Sequence, residues 1–181
     1  MQLFHIGYQV IQRPDVHYGR KNADFGQGFY LTAHDEFAGK WAKERKGQQV
    51  VLNTYEMDLT GLNIHRFSRD AAWYDYIFRN RAGGRDILEA DVIIGPIAND
   101  TIYDTLGILT SGLLKKEEAL QLLMIGPEYE QIALKTEKAA EQLLWKSARI
   151  IEPEEITAFR ESVAKEQEEY LRAIGAAIET M

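Results

Sequence analysis

Two glycines separated by a single residue stand directly before a strand-like segment in the sequence DFGQGFYLT, which runs from Asp24 to Thr32. Glycine loses more backbone entropy on folding than any other residue and contributes no side chain to a core. A chain that keeps Gly26 and Gly28 at the start of a strand therefore needs its backbone to approach another group closely. That group can be a neighbouring strand or a bound ligand.

The composition limits the class of protein. The chain has 181 residues, of which 45% are hydrophobic, so it can form one domain, or one domain with an appendage, around a substantial core. It has no cysteine, which excludes disulfides and thiolate chemistry. No apolar run approaches the roughly 20 residues that a membrane span needs, and the N-terminus lacks the pattern of a signal peptide. These features predict a cytoplasmic protein with no membrane contact.

The charge limits the kind of ligand. A formal net charge of −7 argues against a broad nucleic-acid interface, because such an interface needs dense lysine and arginine on one face. The charge is compatible with a small anionic ligand held by one or two arginines. His17, His34 and His65 do not have the spacing of metal ligands, so no metal is predicted.

Short strands and helices follow one another without a regular βαβ alternation, which predicts an α+β fold. Strands are predicted at 3–11, 28–32, 48–59, within 60–67, at 91–96 and at 130–136. Helices are predicted at 33–47, 69–84, 98–109, 115–126 and 137–148, with a long C-terminal helix from residue 152. Residues 1–150 are expected to form one domain, and residues 151–181 a helix that packs on it or on a partner protein. Asn99 and Asp100 are expected to cap the helix at 98–109, or else to belong to a substrate loop.

Three of the predicted strands carry residues that suit a ligand site: His5 in FHIG, Tyr30 in GQGFYLT, and Glu130 with Gln131 in EYEQIALKT. Taken singly, each segment also fits an ordinary core strand. Successive strand residues face opposite sides, so only one of Glu130 and Gln131 can face a cleft. Because apolar residues follow on the face of Glu130, Gln131 is the residue predicted to face the cleft.

The order and contents of these segments resemble the ADP-ribosyltransferase superfamily, which includes the poly(ADP-ribose) polymerases and the diphtheria-type toxins. In that superfamily a histidine, a tyrosine and a glutamate on three strands line a cleft for NAD. The run RPDVHYGRKNADFGQGFYLTAHDEFAGKWA, followed by RNR, DVIIGPIANDTI and EQIALKTEKAAEQL, is similar to the bacterial family catalogued as domain of unknown function 3990. The resemblance covers roughly residues 3–145. It implies a split-β fold with two small packed sheets and surrounding helices.

The resemblance implies a role for each of the central residues. His5 would bind the 2′-hydroxyl of the nicotinamide ribose, and Tyr30 would stack on the nicotinamide ring. Gly26 and Gly28 would let the entrance of the strand lie close against that ring and its amide.

The resemblance also extends the site along the chain. Most relatives have glycine directly after the histidine, where this chain has Ile6 followed by Gly7, and backbone groups there would bind the carboxamide. Arg20 and Arg81 would bind the pyrophosphate, unless they are solvated surface side chains. The expected NAD site comprises His5, Ile6, Gly7, Arg20, Gly26, Gly28, Phe29, Tyr30 and Arg81.

The third position departs from the superfamily pattern, in which a glutamate polarises the ribose hydroxyl and stabilises the oxocarbenium-like transition state. Gln131 falls at that position here. An amide can hold the ribose hydroxyl but cannot act as a general base. The expected catalytic set is His5, Tyr30 and Gln131, with Glu130 instead of Gln131 in the opposite register. Slow mono-ADP-ribosylation of a good nucleophile is expected rather than polymer extension.

These features predict an NAD-dependent mono-ADP-ribosyltransferase that releases nicotinamide, with a protein as the expected acceptor. Bacterial ADP-ribosyltransferases of this size often act as toxins or conflict effectors, so an antidote or other partner protein bound through the C-terminal helix is a further expectation. The missing glutamate also fits a catalytically inactive module that binds NAD or ADP-ribose. Transfer of an RNA 2′-phosphate to NAD, another reaction of the superfamily, needs basic residues that grip RNA, and the acidic balance counts against it.

Overall fold

Within residues 1–98 and 115–180, which the computed structural model describes, the chain forms seven strands and five helices. The strands are β1 (Gln2–Gly7), β2 (Phe29–Leu31), β3 (Val50–Met57), β4 (Ile64–Arg66), β5 (Val92–Pro96), β6 (Glu130–Leu134) and β7 (Leu143–Ile151). The helices are α1 (Asp35–Lys40), α2 (Ala71–Arg81), α3 (Lys116–Leu123), α4 (Glu137–Glu141) and α5 (Pro153–Thr180). The predicted α+β class is confirmed. The helix predicted at 98–109, with Asn99 and Asp100, falls outside the described residues apart from Ala98.

The strands form two small sheets, one with the order β1-β3-β7 and one with the order β2-β6-β5-β4. Neighbouring strands are antiparallel except for β4 and β5. An isolated antiparallel bridge joins the two sheets between Phe4 and Thr32, whose N–H and C=O groups bond each other at 2.8 and 3.0 Å. Beyond this bridge β1 and β2 part, and each continues in its own sheet.

An apolar core fills the space between the two sheets. It combines Leu3, Tyr55 and Met57 of the first sheet with Phe29, Leu31, Val92, Ile94, Ile132 and Leu134 of the second. The other face of the second sheet packs against α2 and α3, and the other face of the first sheet packs against α1 and the start of α5. Strands β5 and β6 are thus covered on both faces, which explains their near-continuous apolar sequences.

The long helix α5 connects two of the apolar cores. Ile156 near its start packs with α1 and the first sheet, whereas Tyr170 and Ile174 pack with α2 and α3. An ion pair between Lys40 and Glu166, with 2.5 Å between Nζ and Oε1, ties its middle to the end of α1. Neither α5 nor any other helix of the described ranges has both the length and the apolar character that a membrane crossing needs.

The helix predicted at 137–148 is wrong beyond Glu141, where α4 ends. The chain then enters β7, which pairs with β3 along its whole length, from Leu143 opposite Met57 to Ile151 opposite Val50. The alanine, glutamate and glutamine at the start of the segment favour a helix locally. Pairing with a distant strand and burial of the two ends of β7 override that preference.

Helix α1 is shorter than the predicted 33–47, because it ends at Lys40 with Trp41 as its C-cap. Gly39 lies directly against the ring of Phe159 in α5, so that a Cβ at position 39 would lie 2.3 Å from Phe159 Cζ. This close packing holds α1 on α5, and the residues that follow α1 leave the helix.

We predict that Gly39→Ala destabilises the protein by about 1–3 kcal/mol, because the added methyl group overlaps the Phe159 ring and overpacking of a dense core costs that much. The matched control is Gly175→Ala in α5, whose added Cβ would meet nothing within 4 Å. The control should gain about 0.5–1 kcal/mol of helix propensity. Urea denaturation measures both changes, and a Gly39→Ala protein as stable as the control would contradict this packing.

Candidate functional site

His5 occupies the gap where β1 and β2 part. Its Nδ1 lies 2.8 Å from the carbonyl oxygen of Tyr30, and its ring stacks on Phe29 with the ring centroids 4.4 Å apart. Because a carbonyl can only accept, Nδ1 carries the proton of the neutral ring and Nε2 is an acceptor. Burial lowers the pKa of His5 below its ordinary value of 6.5, and the hydrogen bond to Tyr30 offsets only part of this effect. The neutral ring is therefore the stable form at neutral pH.

Ile6 presents its backbone to the open edge of β1. Both the N–H and the C=O of Phe4 bond to Thr32 across that edge, and alternate residues of an antiparallel strand direct these groups the same way. Beyond the bridge, no described strand pairs with this edge. The N–H and C=O of Ile6 therefore form an adjacent donor and acceptor in the opening, which is the complement of a primary carboxamide.

The hydroxyl of Tyr30 fixes the glycine loop in front of β2. It donates to the carbonyl of Gly26 at 2.7 Å and accepts from the N–H of Phe25 at 3.0 Å. Gly26 has a φ of 71°, a conformation that side chains with a Cβ rarely adopt. Burial and then the charge of Asp24 raise the pKa of Tyr30, so the phenol stays protonated and able to donate.

Gly28 is the position at which the backbone approaches another group. A Cβ at Gly28 would lie 2.6 Å from the carbonyl oxygen of Leu134 in β6, and a Cβ at Gly19 would lie 2.2 Å from the carbonyl oxygen of Gly28. The glycine pair predicted a close approach either to a neighbouring strand or to a bound ligand. At Gly28 the group in contact is the neighbouring strand β6.

Two cavities meet at His5 and Tyr30, because both are lined by these residues and by Gly7 and Tyr8. The first, which we name the Trp41 cavity, has a volume of about 190 Å³ and is further lined by Ile6, Trp41, Ala42, Lys43 and Val50. The second, the Arg45 cavity, has a volume of about 440 Å³ and is further lined by Gln9, Ile11, Asp15, Tyr18, Gly19, Arg20, Gly28, Phe29, Arg45 and Gln48. The Trp41 cavity is mainly apolar, whereas the Arg45 cavity carries two arginines.

Most of the predicted NAD-site residues lie on these cavities. The structure brings together His5, Ile6, Gly7, Arg20, Gly28, Phe29 and Tyr30. Several lining residues were not predicted for the site, and they include Tyr8, Trp41 and Arg45. The register of β1 and β3, which sets Gly7 opposite Val51, brings residues 45–50 beside the end of β1. Arg45 could have been assigned to the site only by predicting that β1 pairs with β3.

Arg81, Gly26 and Gln131 do not line either cavity but lie in a buried polar cluster around Asp24. The Asp24 carboxylate accepts from Arg81 Nε at 2.8 Å and from Gln131 Nε2 at 3.4 Å. Its backbone carbonyl accepts from Asn80 at 2.9 Å. The charge of Arg81 is thus neutralised by a buried carboxylate rather than presented to the cavities.

The two candidate residues at the start of β6 have different environments. Gln131 is buried, with 5% of its surface exposed, whereas the side chain of Glu130 is exposed to solvent. The register sets Tyr30 opposite Ala133, so Gln131 lies on the same face of the second sheet as Tyr30. Gln131 is therefore the inward-facing residue of the pair, although its amide is engaged by Asp24.

A third cavity of about 600 Å³ lies between the segment of residues 12–16 and β7. It is lined by Trp145 and by charged side chains that include Arg13, Glu137 and Glu141, and it contains none of the predicted site residues. Within the two described ranges, no three histidine, aspartate or glutamate side chains are grouped so that they could hold a metal ion.

A family described as a protein of unknown function (DUF3990) matches residues 1–145. The matched region includes His5, Tyr30 and Gln131 and ends inside β7. No curated protein and no solved structure matches the chain.

We predict that acid destabilises the wild-type protein more than it destabilises His5→Asn. The folded pKa of His5 is lower than the unfolded one, so its contribution to stability is complete above pH 6.5 and is lost as the pH falls toward the folded pKa. Asparagine keeps an N–H for the Tyr30 carbonyl but cannot titrate. Each unit of pKa difference is worth about 1.4 kcal/mol, which urea denaturation at about pH 7.5 and about pH 5.5 can resolve. The control His34→Gln, at an exposed position, should keep the wild-type pH dependence; equal pH dependence of His5→Asn and wild type would contradict the prediction.

We predict that Tyr30→Phe lowers the free energy of unfolding by about 1–3 kcal/mol, because it leaves the partly buried Gly26 carbonyl and Phe25 N–H without their partner. Tyr18→Phe is the matched control, since Tyr18 is 91% exposed. Chemical denaturation of the two variants gives the comparison. A Tyr30→Phe protein within experimental error of the control would show that the hydroxyl does not fix the loop.

Proposed function

The chain belongs to the DUF3990 family, and we propose that it is an NAD-dependent mono-ADP-ribosyltransferase with a split-β fold of the ADP-ribosyltransferase type. One observation carries the proposal. The strands β1 and β2 part around His5 and Tyr30, and an apolar cavity and a basic cavity meet at that pair. NAD has a corresponding division into a flat nicotinamide ring and an anionic diphosphate.

The Trp41 cavity suits the nicotinamide ring. Its volume of about 190 Å³ is below the roughly 300–1,000 Å³ of sites that hold whole drug-sized molecules, which fits a single ring with a small substituent. Tyr30 and Trp41 supply aromatic surface for stacking. On the open edge of β1, the N–H of Ile6 can donate to the carboxamide oxygen and its C=O can accept from the carboxamide NH2.

His5 is suited to the ribose that joins the two parts of NAD. Its Nδ1 is committed to the Tyr30 carbonyl, so Nε2 is available to accept a hydrogen bond from a ribose hydroxyl. Burial keeps the ring neutral, which preserves this acceptor. A charged imidazolium would instead have two donors and would repel a ribosyl cation.

The proposed reaction breaks the bond between the nicotinamide nitrogen and C1 of the ribose. The bonding electron pair leaves with nicotinamide, the acceptor nucleophile forms the new bond to C1, and the acceptor proton passes to solvent or to a nearby base. Gln131 cannot serve as that base, since an amide has no useful basicity and this one bonds the Asp24 carboxylate. The acceptor must therefore be a good nucleophile, and we propose a protein side chain in a toxin or conflict-effector setting.

A second candidate function is a module that binds NAD or ADP-ribose without catalysis. The favouring observation is that the Gln131 amide is buried and bonded to Asp24 rather than exposed on either cavity. In such a module the NAD site would remain, and no group would stabilise the charge that develops as nicotinamide leaves.

The deciding experiment incubates the purified protein with NAD and measures free nicotinamide, and then repeats the incubation with a cell lysate and NAD labelled in the adenylate part. Release of nicotinamide with label on a protein supports the transferase. Stabilisation of the protein by NAD in a thermal shift without nicotinamide release supports the binding module. Neither stabilisation nor release at millimolar NAD would overturn both.

We predict that His5→Asn lowers nicotinamide release about five- to tenfold, because it removes a hydrogen bond of about 1 kcal/mol to the ribose. Glu130→Gln is the control and should leave the rate unchanged, because Glu130 is exposed and away from the cavities. Gln131→Glu is a poor test of the missing glutamate. Its carboxylate would lie beside that of Asp24, and two adjacent buried carboxylates raise each other's pKa. A rate that falls with Glu130→Gln and not with His5→Asn would contradict the proposed role of His5.

A further inference from the structure

We propose that Arg45, together with Arg20, binds the diphosphate of NAD in the Arg45 cavity. The inference rests on the proposed function, because it assigns the second half of the same ligand. It replaces the expectation for Arg81, whose charge is taken by the buried carboxylate of Asp24 at 2.8 Å.

The two arginines present uncompensated charge to a cavity. Neither Arg20 nor Arg45 forms an ion pair with a carboxylate of the described residues, in contrast to the arginine pairs Arg81–Asp24, Arg149–Glu155, Arg160–Glu44 and Arg172–Glu168. The lining of the Arg45 cavity contains one carboxylate, that of Asp15, and it accepts from the N–H of His17 at 2.7 Å. Two cations against one anion leave these lining groups with a net positive charge, which attracts an anionic group.

Arg45 is oriented by its contacts with the end of β1. Its guanidinium lies over the ring of Tyr8, 4.7 Å from the centroid, and Tyr8 is itself held by a hydrogen bond from its hydroxyl to the carbonyl of Lys43 at 2.9 Å. A turn closed by the N–H of Gln48 on the Arg45 carbonyl at 3.0 Å fixes the backbone. A guanidinium stacked on a ring keeps its N–H groups for in-plane partners, and two of them match the oxygens of a phosphate.

Arg20 follows a segment that is fixed to the glycine loop. The side-chain amide of Gln27 donates to the carbonyls of His17 and Gly19, and Gly19 packs directly on the Gly28 backbone. Arg20 lines the Arg45 cavity together with His5 and Tyr30. One ribose separates the diphosphate of NAD from its nicotinamide. If that ribose is held at His5, the diphosphate lies beside the two arginines.

The test compares Arg45→Gln with the matched control Arg172→Gln, whose side chain is 78% exposed in α5. Calorimetry measures the affinity of each protein for nicotinamide, for ADP-ribose and for NAD. Loss of one charge-assisted phosphate contact should weaken ADP-ribose and NAD binding by roughly tenfold or more in Arg45→Gln, and nicotinamide binding should be unchanged. The control should bind all three ligands like the wild type.

The outcomes separate this inference from the proposed function. If Arg45→Gln binds ADP-ribose as tightly as the control, the inference is overturned and the NAD site is not. If the wild type binds nicotinamide but not ADP-ribose, the inference is again overturned while the nicotinamide site stands. If the wild type binds neither, both proposals fail. Arg45 is exposed, so the variant should fold, and its unliganded melting temperature verifies this.

Discussion

The two hydrogen bonds between Phe4 and Thr32 determine the rest of the site, because they join the two sheets at the last point where β1 and β2 remain paired. If the antiparallel register continued, Ile6 would lie opposite Tyr30 and the gap would be closed. Instead the carbonyl of Tyr30 bonds the imidazole of His5. A side chain has taken the place of a backbone partner, so that the polar groups of Ile6 have no strand to bond. Ile6 is half-buried and lines the Trp41 cavity, so these groups are open to water or to a polar ligand.

The glycine loop and Tyr30, on one side of the opening, are held by ion pairs that do not line the two cavities. Asp24 is paired with Arg81, and Lys135 is paired with Asp86 at 3.1 Å and donates to the carbonyl of Phe25. Burial lowers the pKa of Lys135, and its attraction to Asp86 offsets part of that effect. Breaking a buried pair leaves an uncompensated charge, which is strongly unfavourable. These contacts hold the glycine loop and Tyr30 in one arrangement, and a ligand loses less entropy on binding to groups that are already in place.

Local sequence patterns were sufficient where a residue's position depends on its own strand. His5, Tyr30 and Gln131 lie on three strands as predicted. Gln131 rather than Glu130 is the buried residue of that pair, but it bonds Asp24 and lines neither cavity. Patterns failed where the outcome depends on a distant partner. The second half of the predicted helix at 137–148 is a strand because β3 is available to pair with it. The charge of Arg81 is neutralised by Asp24, which lies 57 positions away in the sequence. Arg45 lies on the cavity because β1 pairs with β3. No short stretch of the sequence contains both partners of any of these contacts.

The family match and the folded unit have different limits. The match ends at residue 145, so it contains three of the nine residues of β7. A fragment cut there would lose the partners of β3 from Val50 to Thr54, which are Ile151 to Ser147. It would also lose α5, which covers the apolar face of Val50, Leu52 and the end of α1. A bare strand edge beside exposed apolar side chains is a template for pairing with other chains. The region that the family pattern marks out is thus smaller than the unit that protects its own sheet from aggregation.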